Sequence, residues 1–194
     1  MSPKRANDAF ASGRLRIMPS PKQGDLKLQV TPIPKPLFGI NLRYVLRDSG
    51  WKAMRRSILS ERGNRCETCS KIVEESSDLH AHEEWVYETT EDSGTAKIRR
   101  IAIQCRACHD CEHFLMVRML VRQGRVPKER IQELIQHFCA VNDVGPQVFK
   151  RHVLQAKNDW ERLSSLSWEV DLSPYSTKVI QVSSVRFPTH RTAE

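Results

Sequence analysis

Two C-x2-C pairs constrain this chain more than any other feature: Cys66-Glu67-Thr68-Cys69 and Cys105-Arg106-Ala107-Cys108. Each pair makes a tight knuckle that turns both sulfurs inward, and two knuckles complete a tetrahedral Zn2+ site. The 35 residues between the pairs are enough for a β-hairpin, so the intervening chain has to go out and come back. Disulfides are the competing use for such cysteines, but they belong to oxidising compartments. Met1-Ser2-Pro3-Lys4-Arg5 is followed by no apolar run, so no signal peptide is expected and the cysteines are expected to be reduced or metal-bound, in the cytoplasm. The most apolar stretch, Phe114 to Val121, is short and interrupted by Arg118, which excludes a membrane span there.

The net charge of +8 is unevenly placed. Residues 1–65 carry 14 Lys/Arg against 4 Asp/Glu, while the remainder carries 17 against 19. The whole basic excess precedes the first knuckle, which fits a polyanionic partner, with DNA the first expectation and RNA the second. A solvated basic terminus without a partner would look the same in composition.

Residues 1–36 read as a flexible basic arm, since Pro19, Pro21, Pro32, Pro34 and Pro36 block helix and favour extended chain. Asn41 is the expected N-cap of a short helix through Arg47. A clearer helix starts at Trp51, with Trp51, Met54 and Ile58 on one face, and Gly63 ends it. Lys52, Arg55, Arg56 and Arg62 lie on its surface as candidate nucleic-acid contacts. A strand is expected over 79–88, a turn at Glu91-Asp92-Ser93-Gly94, and a second strand over 97–104. Ile98, Ile101 and Ile103 break simple alternation on that strand, which predicts a bulge or burial on both faces. One helix is expected from His109 to Arg122, another from Pro127 and a last one from Pro146. Residues 168–172 suit a short strand, and 173–194 a loose tail. Cys111, Cys139, His137 and His152 are read as packing or surface residues.

Of the histidines among the cysteines, three suit a single ion. His109 and His113, four apart on a helix, put both rings on one face. His82 on the first strand reaches the same ion if the hairpin packs on that helix. Three protein ligands leave positions for water and a phosphate oxygen, as a hydrolytic metal site requires.

The run C-x2-C, Leu79-His80-Ala81-His82-Glu83-Glu84, then C-x2-C-His-x3-His resembles the HNH endonucleases of the ββα-metal, or His-Me finger, group. The close resemblance covers 66–113, and the flanks from Pro36-Leu37-Phe38-Gly39 to the Trp168 region are similar to small bacterial and phage proteins of that kind. It implies structural zinc on Cys66, Cys69, Cys105 and Cys108. It implies a second, catalytic divalent ion, such as Mg2+, Mn2+, Ni2+ or Zn2+, on His82, His109 and His113. It also implies hydrolysis of DNA phosphodiester bonds, within the host cytoplasm if the chain is phage-encoded.

The pattern departs from that family in two places. Glu83 follows His82 where the family's histidine base is usual, and Arg100 stands where its asparagine is usual. Glu83 is then a candidate base, although a carboxylate is weaker than an imidazole. His80 is the other candidate, because His80 and His82 share a strand face while Glu83 points away. Arg100 joins the candidate nucleic-acid contacts. His82-Glu83-Glu84 with Cys105-x2-Cys108 also fits the zinc-deaminase signature, but that reading leaves Cys66, Cys69, His109 and His113 without a task. The expected architecture is an α+β domain over 37–172, with a zinc-stapled ββα core at 66–122 and a helical extension at 127–166. A zinc module that binds nucleic acid or protein without catalysis is the alternative function.

Overall fold

The computed structural model describes residues 16–17, 26–176 and 179–182. The elements are β1 (Arg16–Ile17), α1 (Leu42–Arg62), β2 (Leu79–Thr89), β3 (Ser93–Cys105), α2 (Arg106–Glu112), α3 (Phe114–Arg122), α4 (Glu129–Asn142), α5 (Pro146–Ser164), β4 (Ser167–Asp171) and β5 (Val179–Val182). The strands form one mixed sheet in sequential order. All neighbours are antiparallel except β3 and β4, whose parallel pairing requires the crossover that α2 to α5 provide. The chain is therefore an α+β protein.

The β2–β3 hairpin is the central feature. Its register runs Leu79 opposite Cys105 to Thr89 opposite Gly94, with a shift between Glu84 and Trp85. Arg100 pairs with Glu84 and Ile98 with Trp85, so Arg99 is the extra residue. Before this bulge, burial alternates along β3; from Ile101 to Cys105 every residue is buried. The isoleucine spacing in the sequence therefore reflects both a bulge and two-sided burial.

Asn41 caps α1, its side chain accepting from the Tyr44 amide at 2.9 Å, and Gly63 closes it at φ 72°. The two expected helices are one element broken at Arg47, which sits at φ 56° and ψ 176°. The single helix expected over 109–122 is instead two, meeting at His113 (φ −92°, ψ 25°). The His113 amide still donates to the His109 carbonyl at 3.1 Å, so the helical spacing of the two rings survives the break.

Two apolar cores hold these elements. Phe114, Phe138 and Phe149 meet edge to face in the first, between α3, α4 and α5. Trp168 centres the second, edge to face with Tyr87 and donating from its indole nitrogen to the Leu163 carbonyl at 3.0 Å. Gly94, opposite Trp168, has no room for a side chain: a Cβ there would lie 2.6 Å from the indole.

Both expected loose termini need correction where they are described. Leu26, Leu28 and Val30 alternate inward onto the first core, and Leu28 and Val30 are buried. The amide of Leu28 donates to Asn142 at 3.0 Å, that of Val30 to His152 at 2.8 Å and that of Thr31 to the Glu112 carbonyl at 2.9 Å. The proline-containing residues that follow make a short 3-10 turn, Lys35–Leu37, and side-chain alternation fastens the strap to the domain. At the other end, Val179–Val182 pairs with β4 where a loose tail was expected. Most of residues 1–25, together with 183–194, lie outside the described residues.

Candidate metal centres

The four cysteine sulfurs gather, with every pair of ligand atoms within 4.8 Å. Cys66 and Cys69 sit in the loop after α1, where the Ser70 amide donates to the Cys66 carbonyl and the Cys66 amide to the Lys71 carbonyl, both at 2.9 Å. Ser70 takes a left-handed φ of 63° to close the knuckle. The Glu67 amide, donating to Ile103 at 2.8 Å, fastens the knuckle to β3. Cys105 ends β3 and Cys108 lies in the first turn of α2. Without a cation these thiols compete for charge. Hydrogen bonds from Cys105 and Cys108 pull Cys66 well below the usual thiol range, while hydrogen bonds with Cys105 and Cys66 push Cys108 up. Burial pushes Cys69 up to about 11. Four convergent soft donors of this kind fit a structural metal such as zinc, which binds thiolates and relieves their repulsion.

His137, expected to be a packing or surface residue, places its Nε2 3.1 Å from the Cys108 sulfur. Cys111 donates to the Leu134 carbonyl and His152 accepts from Val30, so those two do serve packing.

A second group forms beside the first. Ligand atoms of His82, His109 and His113 lie within 4.8 Å of one another. His82, from β2, is 6% exposed. His80 stacks on His109 with ring centroids 4.7 Å apart. Burial, then the neighbouring His109 and Arg106, lower His80 to about 4; burial with His82 and His109 lowers His113 to about 3. Neutral imidazoles are the form that binds metal.

Two carboxylates back these rings. Glu112 accepts at 2.9 Å from Nε2 of His82 when that nitrogen carries the proton. Asp110 lies beside His109, with Nδ1 and Oδ1 3.9 Å apart, and is gripped by Arg106 at 3.0 Å and Arg130 at 2.7 Å. Burial opposes ionisation of both acids. Hydrogen bonds from His82 and Gln104 nevertheless hold Glu112 below its usual range, and the nearby His109 with hydrogen bonds from Arg130 and Arg106 does the same for Asp110. Such carboxylate–histidine pairs orient the rings that hold a metal. Glu112 was detectable in principle, being three residues after His109 on the same helical face. Gln104, which donates to Glu112 at 2.5 Å, carries no periodic signal.

Glu83 does not join the histidines. Its Oε1 accepts from the Leu42 amide at 2.8 Å, holding the start of α1 against β2, and burial raises its pKa. The period of two along a strand accounts for this, since His80 and His82 share one face and Glu83 takes the other. Most of the expected nucleic-acid contacts are also engaged internally. Arg55 donates to the carbonyls of Ser76 and Leu79, and Arg62 to Ile101 and Glu67. Arg100 grips Glu84 through two nitrogens, at 2.6 and 2.9 Å, and also reaches Glu67. Lys52 and Arg56 are exposed. Arg106, missed in the sequence, is 68% exposed along its side chain next to His80.

The deaminase pattern would require His82 to share a metal with Cys105 and Cys108, whereas His82 groups with the other histidines. No described helix is long and apolar enough to cross a membrane. No family model, no curated protein and no solved structure matches this chain.

Proposed function

We propose that this chain is a metal-dependent nuclease of the HNH type, acting on DNA phosphodiester bonds. The observation that carries the reading is the convergence of His82 from a hairpin with His109 and His113 from the helical segment after it, next to a separate cysteine site. The donor set fits a divalent ion: three imidazoles, one backed by a carboxylate and one with a carboxylate 3.9 Å away, beside His80. When bound, such an ion supplies charge stabilisation for the scissile phosphate and its leaving oxygen.

The chain's own residues have distinct tasks in this reading. His82, His109 and His113 would hold the ion, and Glu112, 2.9 Å from His82, fixes that ring. His80, stacked on His109, takes the proton from the attacking water, a task for which Glu83 is misplaced. Arg106 offers an exposed cation to the phosphate chain. The non-catalytic zinc module has one observation in its favour, the commitment of Glu83 and Arg100 to internal bonds.

Supercoiled plasmid incubated with zinc-loaded protein and Mg2+, Mn2+, Ni2+ or Zn2+ separates the two. The nuclease reading expects nicking or linearisation, abolished in His82→Ala and His113→Ala with zinc content and fold retained. His80→Ala should slow cleavage by about 10²- to 10⁴-fold. A folded wild type that binds DNA and never cuts it with any of these ions would establish the binding module instead.

A further inference from the structure

Gln104 is 1% exposed and sits one residue before Cys105. Its Nε2 donates twice, to Thr68 Oγ1 at 3.1 Å and to Glu112 Oε1 at 2.5 Å. Thr68 lies inside the Cys66–Cys69 knuckle. The other oxygen of Glu112 faces Nε2 of His82 at 2.9 Å. An unbroken run of side-chain contacts thus leads from the cysteine knuckle through Gln104 and Glu112 to His82. The Gln104 carbonyl oxygen, meanwhile, is buried without a partner among the described residues. An aliphatic residue of similar length would fill the same space without that penalty, so packing does not account for an amide here. What the amide adds is two donors.

We infer that Gln104 is a positioning residue, whose buried amide ties Glu112 to the cysteine knuckle and thereby fixes the ring of His82. The inference rests on the reading of His82 as a metal ligand. With one oxygen held by Gln104, the Glu112 carboxylate cannot turn freely, and its second oxygen stays aimed at Nε2 of His82. That bond commits Nε2 and leaves Nδ1 as the ring's other nitrogen. Ordering of the cysteine knuckle, which places Thr68 and Cys105 on either side of Gln104, is therefore felt at the histidine site. Hydrogen bonds to the ligands of a metal commonly carry this kind of influence on affinity.

The test uses the full chain with zinc on the cysteines, and compares wild type with Gln104→Met and the milder Thr68→Val. Nitrogen-15 histidine NMR without added Mn2+ should show His82 as a single tautomer protonated on Nε2, with a slowly exchanging proton. In Gln104→Met that signal should give way to mixed tautomers or fast exchange, and Thr68→Val should move the same way by less. Mn2+ affinity should fall by about 10- to 100-fold in Gln104→Met with zinc content unchanged. A purely structural glutamine would lower the melting temperature and leave both readouts alone. An unchanged His82 tautomer and proton exchange in both variants would overturn the inference. Failure of wild type to bind Mg2+, Mn2+, Ni2+ and a second Zn2+ alike would instead remove the nuclease reading, while the NMR comparison still decides the role of Gln104.

Discussion

Glu83 provides the sharpest test of the structure against the sequence pattern, because the two give it different work. Its carboxylate accepts from the amide of Leu42, a residue with no exposed surface. Glu83→Ala removes that acceptor and leaves a buried N–H without a partner, at a cost of about 1–3 kcal/mol. For a domain of this size each kcal/mol lowers the melting temperature by roughly 2–4 °C, so a loss of about 4–8 °C is expected at the middle of that range. Glu83→Gln keeps an acceptor oxygen in place and should cost less than about 1 kcal/mol, the usual net value of a neutral hydrogen bond. Melting by circular dichroism, with plasmid cleavage measured on the same zinc-loaded samples, separates the roles. The alanine variant should melt early and the glutamine variant should cut DNA at close to the wild-type rate. A glutamine variant of wild-type stability whose cleavage falls by about 10²- to 10⁴-fold would refute this reasoning and make Glu83 the base after all.

Two further outcomes follow from the cysteine site and the cations. Cys66→Ser and Cys105→Ser should lose zinc and cooperative folding together, as should chelation of the wild type, because the ion's binding energy is folding energy at such a site; elemental analysis alongside the melting curve checks this. Arg56→Ala should weaken DNA binding and flatten its dependence on salt by about one counterion, whereas Arg100→Ala, already held by Glu84 and Glu67, should leave that slope unchanged and lower the melting temperature instead.

Spacing made much of the site legible. Paired C-x2-C motifs and histidines four apart specify their geometry locally, so the two groups assemble where the pattern put them. The isoleucines of β3 disclosed its bulge for the same reason. What stayed hidden depended on partners distant in sequence. Arg55, Arg62 and Arg100 look like a free basic surface until the carbonyls and carboxylates facing them are known. The inward alternation of Leu26, Leu28 and Val30 was masked by the prolines that follow. The break at His113 has neither proline nor glycine to announce it.

The strap from Leu26 to Thr31 also imposes an order on synthesis. Leu28 is made 114 residues before Asn142, and Val30 is made 122 residues before His152. Throughout that interval the ribosome has released two apolar side chains and two amide donors with nowhere to dock. Closing so long a loop carries a large entropic cost, repaid only when α4 and α5 have packed. Until Asn142 and His152 are in place, the amides of Leu28 and Val30 lack the partners they have in the fold. The strap from Leu26 to Thr31 thus depends on helices made late in the chain.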